Sequence, residues 1–421
     1  MAIARSVAII GGGIGGLTLA NCLLRTGMSV SLYERSPCFI PTVGAGFSFQ
    51  PNGQMCLAYM GFKDQTEKLV HPVYKWHLIN DKGKVVNTTN NLSEYGKRFD
   101  FYEGGAIRAE LIDILKEPLE KNHILHYSHK VIDIKQDIDG VEISFENALE
   151  QKPVRVDMLI GADGIHSKVV KQIFSQTAPP IYSKENVFYG IIDNIDQQTS
   201  LHPSIIQKNT LTQCLDYGEF ISFRVGTRGQ LMWAATYPSD VPPPSNNDSE
   251  WIEMNNQREL NRFLTLFPQT HPVHQCAAIT DKRRLLHFGL FYRQHRNDNW
   301  HRNRVCLLGD SCHATLPYVG QGASMAIEDA IVLTLCLEKH NFQMESAFQD
   351  YYKIRFKRTK RVVDMSRYLG LFFHSQNPIV RAIRQRLAPK LMNSDMMIKI
   401  AERAMYDNCP IPLEYKRQFA K

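Results

Sequence analysis

Gly11, Gly13 and Gly16 stand as G-x-G-x-x-G between a β-branched apolar run at 6–10 and a helical pattern at 17–25 that Gly27 is placed to end. The first glycine permits a sharp turn, the second lets a pyrophosphate approach bare backbone, and the third lets helix and strand pack closely. Gly15 lies in the same turn, and the helix beyond supplies N–H donors and a positive dipole end for phosphate. A second short strand at 30–33 leads into Glu34 and Arg35. A carboxylate there accepts hydrogen bonds from ribose hydroxyls, so the unit reads as one end of a dinucleotide site. By itself it does not tell FAD from NAD.

A second constellation separates the two. The apolar strand at 305–308 runs into Gly309-Asp310, continues to Pro317, and turns through Gly320-Gln-Gly322-Ala323 into a long helical pattern that reaches His340. Asp310 stands at the carboxyl end of a buried strand, where ligands of such sheets sit, and suits a ribitol hydroxyl. Pro317 and the 320–322 turn bring bare backbone against something flat. The helix that starts there aims its positive end at that object, which suits the N1/C2=O edge of a reduced, anionic flavin.

Further motifs fall in order between these two: Gly44-Ala-Gly46 with Pro51-Asn52-Gly53, Arg108 within Ile-Arg-Ala-Glu-Leu, and Gly161-Ala-Asp163-Gly164. Over about residues 5–365 the chain resembles the single-component FAD-dependent aromatic hydroxylases, the p-hydroxybenzoate hydroxylase-like class. Within that class it looks most like the branch holding salicylate hydroxylase, 3-hydroxybenzoate 6-hydroxylase and the zeaxanthin epoxidase-like enzymes. The resemblance implies that Gly11, Gly13 and Gly16 hold pyrophosphate, Glu34 the adenosine ribose and Arg108 the cofactor's polar middle. It further implies that Asp163 lies near the pyrophosphate and serves both FAD and NAD(P)H, and that Asp310 binds ribitol. Gly322 and Ala323 would offer N–H groups to the isoalloxazine, with the 44–47 loop, Gly46 included, near the flavin.

The implied chemistry is reduction of FAD by NADPH or NADH, addition of O2 as a flavin C4a-hydroperoxide, and hydroxylation or epoxidation of an aromatic or polycyclic small molecule. Two departures stand out. Gly-Asp310-Ser311-Cys312-His313 replaces the frequent Gly-Asp-Ala-Ala-His, and Tyr292-Arg293 replaces a frequent Asp-Arg, which leaves the substrate side less defined than the FAD side. Tetracycline-inactivating and polyketide-tailoring monooxygenases share this architecture, as do reductases of isoprenoid double bonds, and a flavin binder without turnover is a further alternative. A flavin-dependent halogenase would need Trp-x-Trp-x-Ile-Pro, and Trp76, Trp233, Trp251 and Trp300 form no such string.

The elements that must position these groups follow from periodicity. After the opening strand–helix–strand, strand-like stretches at 73–87 surround the turn signal Asp81-Lys82-Gly83, and 107–119 is helical. Strands are expected at 124–133, 141–145 and 156–160, then at 187–192, 220–225 and 231–237; 249–267 is read as helical and the rest after Gly322 as largely helical. The fold class is α/β. A Rossmann-like FAD-binding domain is made of discontinuous segments (1–72, 100–178, 284–365), with an inserted mostly β substrate domain (73–99, 179–283) and a helical C-terminal extension (366–421).

Composition bounds the rest. A 421-residue chain with 43% hydrophobic and 22% charged residues is globular and long enough for more than one core. The net charge of +7 suits a protein that handles anionic dinucleotides, and dispersed Lys and Arg argue against nucleic acid. Nine cysteines are scattered without zinc or disulfide spacing, which points to reduced thiols and a cytoplasmic setting. The apolar stretch at 7–24 looks superficially like an export signal, but its glycines suit a tight turn better. At 368–405 apolar and basic residues alternate; packing back on the body is preferred over membrane contact. A monomer or homodimer is expected. No catalytic base is named: His313 as a base and Cys312 as a reactive or flavin-linked thiol are alternatives, but both read first as packing groups. His287, Tyr292 and Arg224 and the aromatics Phe220, Phe223, Trp233, Tyr237, Phe288 and Phe291 could line a substrate pocket, although aromatics on strands are more often core. No metal ligands are expected.

Overall fold

Strand Ser6–Ile10 is buried along its apolar residues and pairs in parallel with Ser29–Tyr33 on one side and Met158–Gly161 on the other. Such a strand, covered on both faces, must lie at the centre of an α/β sheet. The computed structural model describes residues 5–39, 46–146, 153–216, 218–243, 252–253, 257–295, 299–375, 377–392, 399 and 410–411. Among these the first sheet has six strands, ordered His301–Arg302, Val305–Leu307, Met158–Gly161, Ser6–Ile10, Ser29–Tyr33 and Leu125–His126. Helices Ile14–Leu24, Arg108–Lys121 and Gly322–Lys339 pack around it. Chain segments distant in sequence therefore build one sheet, as expected.

The second large sheet has eight strands in the order Ile252–Glu253, Leu285–Tyr292, Ile181–Ile192, Gln230–Pro238, Phe220–Val225, Thr210–Cys214, Lys75–Ile79 and Val85–Thr89. Its neighbours are antiparallel except Thr210–Cys214 against Lys75–Ile79. Between the two lies a small sheet of Gly46–Phe49, Gly104–Ile107 and His71–Pro72. Helix Met344–His374 runs from the first sheet's helices to the second sheet, and Pro378–Met392 follows it.

Several expected elements differ, each for a physical reason. The strand expected at 124–133 is two, Leu125–His126 and Val131–Gln136, in different sheets, broken where Ser128 takes a left-handed φ of 59°. The strand expected at 156–160 divides at Asp157, whose carboxylate accepts from Arg5 N, Ser6 N and Ser6 Oγ, all at 2.9 Å. Within 249–267 the described residues hold strand Ile252–Glu253 and helix Gln257–Leu264. Strand Leu285–Tyr292 falls in the expected third flavin-binding segment yet pairs along Ile181–Ile192 in the second sheet. Helix Met344–His374 is continuous across the expected border at 365/366. We therefore propose to draw those two borders after Tyr292 and after His374.

Eight cysteines are free among the described residues, six of them buried; Cys409 lies outside these residues. Among the described residues no helix is long and apolar enough to cross a membrane. In the C-terminal stretch, Ala388 and Arg384 are buried while Tyr368, Leu371, Ile379 and Ile383 are exposed, so these helices pack back with one face.

Helices Gly322–Lys339 and Met344–His374 are joined by buried charges. Arg355 donates from Nε to Asp329 Oδ1 at 2.6 Å and from Nη1 to Glu328 Oε2 at 2.7 Å. Arg358 donates to both oxygens of Glu328, at 2.6 and 2.5 Å. Burial pushes the Asp329 carboxyl upward, but the charges of His313 and Arg355 outweigh it and hold Asp329 at about 2. A buried charge left without its partner is costly, so Arg355→Met is expected to lower unfolding free energy by about 3–5 kcal/mol. Urea denaturation of the flavin-loaded protein checks this; a loss under about 1 kcal/mol would mean the remaining partners carry the load.

Candidate functional site

Gly13 caps the N-terminus of helix Ile14–Leu24. A Cβ built there meets nothing within 4 Å, whereas one on Gly16 would sit 2.1 Å from Gly11 O. The second glycine thus faces open space and the third holds helix against strand, the division of labour expected from the motif. Glu34 Oε2 accepts from Gly12 N at 2.7 Å and Oε1 accepts from Ser36 N at 2.9 Å. Each oxygen keeps lone-pair capacity for a hydroxyl. Arg35 is exposed beside it on the same cleft.

At the other end, Gly309 N donates to Asp329 Oδ2 at 3.1 Å, and Asp310 opens the short helix Asp310–His313 with its side chain exposed. Turn Pro317–Val319 closes on Gly320, whose φ of 60° favours glycine, and helix Gly322–Lys339 starts two residues later. A Cβ on Gly320 would lie 3.2 Å from Gln50 Nε2. Gln50 and Ser48 in turn both donate to Glu103 Oε1, at 2.8 and 2.7 Å, and burial pushes the Glu103 carboxyl upward. Gly46 N donates to Tyr189 Oη, which donates back to Gly46 O at 3.2 Å; this ties the small sheet to the second large one. Gly44 lies outside the described residues.

One cleft of about 2290 Å³ runs between these ends and on to the second sheet. Gly11, Gly13, Gly15, Glu34, Arg35, Gly46, Arg108, Asp163, Asp310, Pro317, Gly320, Gly322 and Ala323 all line it. Gly16 does not; it lies behind Gly11. Ordinary ligand pockets are about 300–1,000 Å³, so the cleft has room for a dinucleotide and a second molecule together.

Beyond the turn at Pro317 the wall is one face of the second sheet. Leu211, Gln213 and Leu215, then Glu219, Ile221 and Phe223, then Met232, Ala234 and Thr236 face it at every second residue. Leu369, Phe372 and Phe373 of the long helix close the opposite side. Glu219 interrupts this apolar lining: it is buried, and its Oε1 accepts from Gln213 Nε2 at 2.6 Å. Burial pushes its carboxyl up to about 7; Gln213 offsets part of that and nearby Glu185 adds to it. Tyr318 Oη donates to Glu185 Oε2 at 2.6 Å and lies 3.0 Å from His374 Nε2, which is itself 3.0 Å from Thr236 Oγ1.

The family model described as FAD binding domain matches residues 4–366. The chain belongs to the FAD-dependent monooxygenases of that family. It is 28% identical over 96% of its length to the FAD-dependent monooxygenase paxM of Penicillium paxilli, covering 87% of that protein. It is 29% identical over 86% of its length to 6-methylsalicylate 1-monooxygenase atA of Aspergillus terreus, covering 81% of it. Among solved structures, HpxO of Klebsiella pneumoniae, complexed with FAD and uric acid, matches with a TM-score of 0.78 at 21% identity, covering 96% of each chain. FAD is the cofactor of this monooxygenase and its substrates are small molecules. The isoprenoid reductase and the binder without turnover are thereby set aside.

The residues present fit FAD. An open cradle at Gly13, an acid with spare lone pairs at Glu34 and a helix N-terminus at Gly322 lie along one cleft of sufficient size. On the cleft wall the Asp163 oxygens accept from Ser167 Oγ at 2.5 Å, from Lys168 N and Val169 N at 2.6 and 3.2 Å, and from Ser311 Oγ at 3.3 Å, so the carboxylate braces its own loop and ties it to the Asp310 stretch. Arg293, of the atypical Tyr-Arg pair, donates to Ile165 O at 2.5 Å and Ala178 O at 3.2 Å and holds that same loop.

The side chains read first as packing groups are engaged in the protein. His313 lies 2.5 Å from Asp329 Oδ2, His287 Nε2 2.7 Å from Tyr237 Oη, and Arg224 donates to Asp196 at 2.8 Å. Phe220, Trp233 and Tyr237 pack into a core behind the second sheet, Tyr292 lies in another apolar cluster, while Phe223, Phe288 and Phe291 line the cleft. Cys312, His313 and Asp329 lie close enough to hold a cation, but Asp329 is committed to Arg355, His313 and Gly309 N, and burial keeps the Cys312 thiol protonated.

Glu103 and Glu219 escaped the sequence reading. Glu103 stands just before Gly104-Gly105, a hint at close backbone approach, while the only signal for Glu219 is an acid among alternating apolar residues.

Gly13→Ala is expected to leave unfolding free energy within about 1 kcal/mol while weakening FAD binding about 10-fold or more, because the new methyl fills only the cleft. Gly16→Ala meets backbone and is expected to cost about 1–3 kcal/mol of stability. Flavin titration alongside thermal unfolding separates the two; equal stability losses would sink the distinction.

Proposed function

We propose that the protein is a single-component hydroxylase or epoxidase that uses NADPH or NADH and O2 to oxygenate an aromatic or polycyclic small molecule. The observation that carries this is the continuity of the cleft from the glycine turn to the apolar sheet face. When bound and reduced, FAD supplies the activation of O2. Gly11, Gly13, Gly15 and Gly16 form the pyrophosphate turn, Glu34 with Arg35 meets the adenosine end, and Arg108 faces the polar middle. Asp310 takes a ribitol hydroxyl. Pro317, Gly320, Gly322, Ala323 and Gly46 frame the flavin ring, and Asp163 shapes the adjoining loop. The sheet face and the long helix exclude water and orient the ring to be oxygenated.

Kinship with the salicylate hydroxylase-like branch is supported by atA, whose name gives it 6-methylsalicylate. A large fused-ring substrate, such as a tetracycline or polyketide, is the second reading, and the cleft's size favours it.

NAD(P)H and oxygen consumption with phenolic acids, indoles, isoprenoids and tetracyclines, followed by product mass under isotopic O2, tests the proposal. One class is expected to stimulate oxidation and to gain one labelled oxygen. A flavin-loaded protein that never oxidises NAD(P)H with any of them would overturn it.

A further inference from the structure

The substrate side of the cleft carries a signature of what it accepts. Its sheet wall presents apolar side chains at every second position except at one end, where Gln213, Glu219 and Thr236 meet. Among the described residues Gln213 is the hydrogen-bond partner of the Glu219 carboxyl, and it reaches Oε1. Cations are scarce at this end. Arg358 is bound to both oxygens of Glu328, and the other lining arginine of the long helix, Arg361, is exposed. Arg384 is buried behind this end, outside the lining, and its Nη1 donates to the carbonyls of Phe372 and Phe373. Among the described lining residues, an anionic ligand lying on the wall would thus meet a buried acid with no uncommitted buried cation to balance it.

We propose that Glu219 is the group that anchors the substrate, taking the O–H or N–H of an uncharged apolar ring compound and turning away relatives that bear a carboxylate. This rests on the monooxygenase reading of the cleft and narrows its substrate class. The ionised carboxyl accepts a charge-assisted hydrogen bond from such a donor, a bond roughly twice as strong as a neutral one. The groups facing it are Glu185 from strand Ile181–Ile192, Tyr318 from the Pro317–Val319 turn and His374 from the long helix, with Asp216 and Arg384 beyond. Burial holds His374 down at about 4, so it stays neutral near pH 7 and gives Glu219 no positive charge. Binding of a donor-bearing neutral ligand therefore strengthens as pH rises through about 7.

The test titrates the FAD-loaded enzyme with matched pairs, 2-naphthol against 3-hydroxy-2-naphthoate and 3-methylindole against indole-3-acetate, read by the flavin absorbance change. The wild type is expected to bind the uncharged member about 10-fold or more tightly, and Glu219→Gln to shrink that gap by about 10- to 100-fold and flatten the pH profile. Tighter binding of the carboxylates by the wild type overturns the proposal, and that arm needs no variant. So does a Glu219→Gln enzyme of normal flavin content whose gap and pH profile are unchanged. Failure of the monooxygenase reading shows separately, as absence of NAD(P)H-driven oxygen uptake with every ligand.

Discussion

Two carboxylates and two guanidinium groups buried together, Glu328 and Asp329 with Arg355 and Arg358, are the constraint on which the site depends. Neither pair could be stable inside the protein without the other. Because Asp329 also receives Gly309 N and His313, and Glu328 receives Asn52 Nδ2 at 2.7 Å, three separate stretches of chain are pinned to one helix. Those stretches are the loop that carries Asp310, the helix that follows strand Gly46–Phe49, and the long helix over the substrate side. The turn from Pro317 to Gly320 on the cleft wall is strung between the anchored points.

The two large sheets divide the remaining work. The parallel sheet supplies strand ends and helix N-termini, which suit phosphates and ribose because their N–H groups point outward. The antiparallel sheet supplies a broad face with a period of two, which suits a flat apolar molecule. Tyr189 ties the antiparallel sheet to the small sheet through its paired hydrogen bonds with Gly46, so the apolar wall is fastened directly to a strand that lines the same cleft.

What could be read from the sequence was what is local in it. Gly11, Gly13, Gly16 and Glu34 belong to one strand–turn–helix–strand unit, and Asp310 to Ala323 form one short continuous stretch of chain, so their spacing was legible. Glu103, Gln213, Glu219 and Tyr189 reach the cleft only through strand pairings between distant segments, and no short pattern encodes those. The pairing of strand Leu285–Tyr292 with Ile181–Ile192 was hidden for the same reason, since its partner lies about a hundred residues earlier. The breaks at Ser128 and Asp157 are conformational and hydrogen-bonding events inside apolar runs that look continuous. Asp163 was legible as a residue of the cleft, while its bonds to Ser167 and the next helix were not, because they are a matter of rotamer.

Helix Met344–His374 spans 31 residues, about 46 Å of nearly rigid rod. Its middle turns, at Arg355 and Arg358, are locked into the charge cluster, while the side chains of Leu369, Phe372 and Phe373 further along line the cleft. Substitution is therefore costly at the middle of the helix, whereas the apolar side chains that face the cleft stand outside the cluster. On the proposed reading, exchanging those apolar residues near the end of a single helix would recast the outline of the molecule oxidised without touching the charges that fix the rest of the cleft.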